Sequence, residues 1–224
     1  MQTERGRQHR ELESSFRVPD RIPVFPLPTV VFFPRIYLPL HIFEPRYRAM
    51  IADAVAEGKC IGVALLKEGW EQQYYGNPPV FGLGCVGRLV SVQRLPDGRL
   101  NILLQGLSRY QIHEQFYDRS YRQASVVLKP SDSEVALESS VRSDLLHLTD
   151  EYLNTREDRH RSRGLFRPDV SDEILLNSLS TYLDFTPLEK QFLLEADTLL
   201  QRARRLSDLI QFKLCERDGA KGWG

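Results

Sequence analysis

IPVFPLPTVVFFPRIYLPLHIFEPRYRAM, from Ile22 to Met50, is the stretch around which the rest of the chain is organised. It is short of charge and dense in apolar residues, and prolines at Pro23, Pro26, Pro28, Pro34, Pro39 and Pro45 interrupt it every few residues. Proline lacks a backbone N–H and fixes φ, so no long helix can cross Ile22 to Leu40, and a central strand would lose ladder bonds. Short extended pieces remain, with Val30–Phe33 and Tyr37–Phe43 as the best strand candidates. Proline is tolerated at the first helical position, so Pro45 can open a helix with Glu44 at the positive end of its dipole. Tyr47, Met50, Ile51, Ala54 and Val55 then recur at helical spacing, and Gly58 can end the helix.

Working outward, Cys60–Leu66 (CIGVALL) reads as a buried strand. Lys67–Pro79 has loop composition yet holds Trp70, Tyr74 and Tyr75, which either pin the loop to the core or form a contact surface. From Val80 the period becomes two. Val90 and Val92 fall on one face with Leu89 and Ser91 on the other, Pro96–Gly98 turns the chain, and Leu100, Ile102 and Leu104 share a side. Leu107–Phe116 and Tyr121–Leu128 continue as strands. Successive strands joined by short turns predict an antiparallel sheet that curls or closes.

Behaviour changes at Pro130. Val141, Leu145, Leu148 and Tyr152 predict a helix over about Glu134–Leu153, and Leu175, Leu179 and Tyr182 a second one starting near Ser171. Thr186-Pro187-Leu188-Glu189 has capping-box spacing with proline at the first helical position. Asp197 can cap a last helix with Leu199, Ala203, Leu206, Ile210 and Leu214 as its stripe. The class is therefore α+β: a curled antiparallel β unit with one packed helix over residues 21–130, then a helical bundle over 131–216. A mobile charged leader is expected over 1–20 and a mobile tail over 217–224.

Composition narrows the function. Lys plus Arg and Asp plus Glu are 30 each among 224 residues, so no global charge draws the chain to nucleic acid or an anionic membrane. A chain of this length buries roughly 70–75% of its extended surface and needs no staples. The three cysteines, Cys60, Cys85 and Cys215, lack metal-ligand spacing and read as reduced thiols in a cytoplasmic protein. The first 20 residues lack the apolar core of a signal peptide, and no run of about 18 apolar residues predicts a membrane span.

Gly82, Gly84 and Gly87 satisfy GxGxxG, but a strand and a PDG turn follow, so no helix is there to receive a phosphate; glycines of a bent strand explain them better. His41 and Glu44 lie at HxxE spacing without further metal ligands, and Arg46 can neutralise Glu44. There is no GxxxxGK[ST] loop and no nucleophile in recognisable context, so no catalytic residue, cofactor or metal is expected. Arg156, Arg159, Arg161, Arg163, Arg167 and His160 form a basic segment, which could join Arg202, Arg204 and Arg205 to meet phosphates. Glu157 and Asp158 dilute it, and helix-face arginines are usually solvated or paired.

PVFPL, FFP and LPLHIFEPRYR, with GCVGRLVSVQRLPDGRLNILLQGLSRYQI (Gly84–Ile112) and LEKQFLLEADTLLQRARRL (Leu188–Leu206), resemble the N-terminal domain of the Lon protease family over about Ile22–Phe212. The resemblance implies a PUA-like β pseudo-barrel followed by helices, and a non-enzymatic module that recognises unfolded or exposed polypeptide. Complete Lon proteases add an ATPase and a peptidase domain; neither motif occurs in these 224 residues, so no catalytic residue carries over. Phe32, Phe33, Tyr37, Trp70, Tyr74 and Tyr75 are the candidate peptide contacts. A protease or chaperone is the partner such an adaptor in protein quality control would serve; an RNA-binding PUA-like protein using the arginines is the alternative.

Overall fold

Proline decides where the first strand can sit. In the computed structural model, which describes residues 17–130, 132, 134–154 and 170–221, β1 is Arg21–Leu27. Arg21–Pro23 pairs antiparallel with β6 (Gln123–Leu128), and Val24–Leu27 pairs parallel with β3 (Cys60–Leu65). Pro23 and Pro26 thus each lie where the paired register runs along one side only, so a missing N–H costs little. The strand expected at Val30–Phe33 does not form. Arg35 adopts a left-handed φ of 65° after Pro34, and the turn there sends Val31, Phe32 and Phe33 into the core. β2 is Tyr37–Ile42, matching the other candidate.

β4 (Leu83–Arg94) and β5 (Leu100–Phe116) form the hairpin read from the PDG turn. The sheet order is β2-β5-β4-β3-β1-β6, with β6 returning to pair with β5, so five strands close a ring and β2 lies outside it. The sheet curls as expected but is mixed, because β1 and β3 run parallel. Their crossover contains β2 and the helix α1 (Pro45–Glu57), the length of connection a parallel pair requires.

β5 can serve β2 with its first half and β6 with its second because it is bulged, the extra residues being Leu107 against β4 and His113 against β6. A further bulge at Val90 reverses the alternation expected on β4. Leu89 and Val92 both face the side of Leu104 and Ile102, while Val90 is exposed. Inside the ring, Tyr110 is fully buried, and its hydroxyl donates to the Val63 carbonyl at 3.1 Å. Gly84 of the GxGxxG stretch is there for packing: a Cβ would lie 2.6 Å from the Tyr110 hydroxyl.

The outer face of the ring packs on α1 through Tyr47, Met50, Ile51 and Ala54, whereas Val55 is exposed and off the buried stripe. The same core continues into the helices α2 (Ser139–Asn154), α3 (Asp172–Tyr182), α4 (Pro187–Leu194) and α5 (Leu199–Lys221). α5 packs against each of the other three. Thr186 and Glu189 form the reciprocal capping box, with N–H bonds of 2.7 and 3.2 Å. Ser171 caps α3, but Tyr182 lies exposed at its end. Thr198, not Asp197, caps α5 by accepting from the Gln201 N–H at 3.1 Å.

Pro130 marks a change of secondary structure, but one core of buried side chains draws from both sides of it. Buried polar contacts cross as well: Arg109 of β5 donates to the Leu194 carbonyl at 3.1 Å, and Gln191 of α4 to the Leu83 carbonyl at 3.0 Å. Most of the expected leader, residues 1–16, lies outside the described residues. The last turn of α5 occupies the start of the expected tail.

Candidate functional site

The loop between β3 and β4 is fastened at its base by an antiparallel bridge between Leu66 and Val80. Gly69, at φ 80°, bends the chain into a short 3-10 turn at Trp70–Gln73. Trp70 packs on the core inside the strand ring. Its ring lies 5.6 Å from Tyr74, which meets Tyr75 edge-on at 5.1 Å.

Tyr74 ties this stack to the start of α1. Its hydroxyl donates to Glu44 Oε1 at 2.5 Å, while Glu44 accepts from Arg46 Nε at 3.0 Å. Arg46 returns to the loop, its two terminal nitrogens donating to the Tyr74 carbonyl at 3.2 and 3.3 Å. The hydrogen bond to Glu44 raises the Tyr74 pKa above the ordinary phenol value, and burial raises that of neighbouring Tyr47 to about 12. The arrangement holds two of the loop's three aromatic residues and displays the third: Tyr75 is 90% exposed.

The six predicted contacts therefore do not form one surface. Phe32 and Phe33 are core, at 2% and 0% exposure, and have no face to offer a ligand. Tyr37 is half exposed at the far end of β2 from Glu44, about 16 Å along the strand at ~3.3 Å per residue. β2 is the free edge of the sheet, interrupted by Pro39, with Tyr37, Pro39 and His41 outward. His41 Nδ1 lies 2.8 Å from Asn101 Oδ1, and Glu44 is engaged by Arg46 and Tyr74.

Two features near α1 escaped the sequence reading. Phe43, one residue before the Glu44 cap, is 60% exposed. An open groove of about 660 Å³ runs along α1 from Pro45 to Val55, between the helix and the β4–β5 hairpin, lined by Pro45, Ile51, Val55, Val92 and Leu100 and by the charged Arg48 and Arg94. Val55 and Val92 are two of the residues that departed from the expected stripes. That departure was not visible in the sequence, since both sit at apolar positions of plausible periods.

The arginines do not assemble a phosphate-binding face among the described residues. Arg202 is fully buried, donating to the Leu193 carbonyl at 3.2 Å and to Asn177 Oδ1 at 2.9 Å. Arg205 donates to the Phe192 carbonyl at 2.5 Å and lies over the Phe192 ring. The segment holding Arg156, Arg159, His160, Arg161, Arg163 and Arg167 lies outside the described residues.

The family model of the ATP-dependent protease La (LON) substrate-binding domain matches residues 21–211, most of the chain. The chain belongs to the Lon substrate-binding domain family. A Lon protease of Flavobacterium johnsoniae is 29% identical over 194 residues, covering 83% of this chain and 23% of that protein. One from Parabacteroides distasonis is 28% identical over 209 residues, covering 89% and 25%. The chain thus spans about a quarter of the length of these curated relatives. The Lon fold is matched in a Lon N-terminal domain protein from Xanthomonas campestris, with a TM-score of 0.62 at 22% identity, over 85% of this chain and 97% of that one. The N-terminal domain of a Mycobacterium avium complex Lon protease gives 0.63 at 20%, over 85% and 98%. No described helix is long and apolar enough to cross a membrane.

Proposed function

We propose that this chain is a non-enzymatic polypeptide-binding module that takes exposed or unfolded segments along α1. The carrying observation is the open groove of about 660 Å³ between α1 and the β4–β5 hairpin, where Ile51, Val55, Val92 and Leu100 lie beside Arg48 and Arg94, in a chain of the Lon substrate-binding domain family that also exposes Phe43 and Tyr75. Apolar side chains of an unfolded segment suit such a groove, and the aromatic rings supply contact area with little rotamer entropy to lose. As an adaptor in protein quality control, the module would present the bound segment to a protease or chaperone. The free thiols Cys60, Cys85 and Cys215 support a reducing compartment such as the cytoplasm.

Anisotropy of a labelled, permanently unfolded polypeptide tests the site. Tyr75→Ser and Val55→Asp should each weaken binding about tenfold, while their melting temperatures stay within the small range of surface substitutions. Trp70→Ala should instead lower stability, because that ring packs on the core. Unchanged affinity in both surface variants would remove this site from the proposal.

A further inference from the structure

Beneath the aromatic loop, between it and the turn joining β5 to β6, is a second cavity of about 140 Å³. The residues that line it include Arg46, Arg119, Arg122, Tyr47, Tyr117 and Tyr121, with no Asp or Glu among them. Two of these arginines have their charge met from outside the cavity. Arg46 pairs with Glu44 at 3.0 Å, and Arg119 with Asp53 and Glu57 at 2.6 and 3.0 Å.

Arg122 differs. It is 5% exposed, and among the described residues no Asp or Glu pairs with it. Nη2 donates to the Pro78 carbonyl at 2.5 Å, and the guanidinium carbon lies 5.7 Å from the centre of the Tyr117 ring, so the charged head sits within the cavity wall. Nε and Nη1 are buried without any hydrogen-bond partner. Burial lowers the pKa of the group, as desolvation of an uncompensated cation must.

Guanidinium geometry sets what can complete this site. Nη2 carries two hydrogens, one on the edge shared with Nε and one on the edge shared with Nη1. Whichever of them Pro78 takes, the other completes an edge with an unpartnered nitrogen, which is the two-pronged donor pattern that a carboxylate accepts. Such a buried cation is stabilised by a matched anion and costly without one.

We propose that Arg122 binds a carboxylate of the polypeptide client, either its C-terminus or an acidic side chain, in the cavity beneath the aromatic loop. The inference rests on the polypeptide-binding reading and adds the chemistry of one anchor. The client residue would lie against Tyr47, Tyr117 and Tyr121 with its carboxylate drawn onto the unpartnered guanidinium edge.

Calorimetry on the full chain tests it with three N-acetylated hexapeptides of alanine and one tyrosine: one with a free C-terminal carboxylate, one C-terminally amidated, and one amidated with an internal glutamate. At least one carboxylate form should bind about tenfold more tightly than the neutral amide, and the form that does identifies the source of the anion. Arg122→Met should abolish the preference and melt at or above the parent temperature, since an unpaired buried charge is replaced by an apolar side chain. Arg122→Lys, which keeps the charge without the fork, should also lose most of the preference. Equal affinities for the three peptides, or a preference that survives Arg122→Met, would overturn the carboxylate site and leave polypeptide binding standing. Failure of the chain to bind any peptide or an unfolded protein would remove both.

Discussion

Arg202 and Arg122 are both buried arginines, and their surroundings give them opposite roles. Arg202 has its donors taken by the Leu193 carbonyl, Asn177 and Asp132, the last at 3.5 Å. Burial lowers its pKa to about 10, which still leaves it charged at neutral pH. Arg202→Ala should lower stability by about 3–5 kcal/mol, because it leaves Asp132 buried without one of its two arginine partners; urea unfolding would read the loss, and a change under about 1 kcal/mol would contradict it. The sequence did contain this signal. Arg202 lies three residues after Leu199 and four before Leu206, so helical spacing places it on the buried stripe rather than with Arg204 and Arg205. Phe32 and Phe33 could not be sorted in the same way, because the turn at Arg35 that buries them depends on distant packing. Nor could Tyr75 be separated from Tyr74: what divides them is Glu44, some thirty positions upstream and brought near only by the fold.

At the scale of elements, local chemistry was legible and irregularity was not. Pro45, Gly58, Ser171 and the Thr186–Glu189 box each placed a helix end from nearest neighbours alone. The bulges of β4 and β5 left no comparable mark, since an unpaired residue such as Val90 has the same type as a paired one. Gly106 is the exception, because it sits where β5 passes against the buried Phe33–Pro34 segment. A Cβ there would meet the Phe33 carbonyl and lie 3.1 Å from the Pro34 Cα, so neither neighbour is a flexible side-chain end that can move aside. Gly106→Ala should therefore cost about 1–3 kcal/mol by overpacking, measured by denaturant unfolding; a neutral effect would mean that the strand can shift without loss.

At the scale of the molecule, ring closure depends on pairings far apart in sequence, β1 with β6 and β5 with β6. Alternation predicted a sheet that curls, but it could not show that β1 lies parallel to β3, because its two prolines kept β1 out of the best strand candidates. The helices then share the core of the sheet, and α1 is left with a groove of mixed apolar and basic lining beside the hairpin, its start tied to the aromatic loop through Glu44 and Arg46. If this surface takes polypeptide that has lost its fold, as proposed, the full chain will tell an unfolded protein from its folded form. Fluorescence anisotropy of the full chain against one labelled protein in two states, native and reduced with its thiols blocked as amides, reads this difference, with single-stranded RNA as a third probe. Saturable binding to the unfolded state that Tyr75→Ser weakens is expected, with no comparable binding to the native state or to RNA. Binding to RNA alone, with affinity that falls steeply as salt rises, would contradict it.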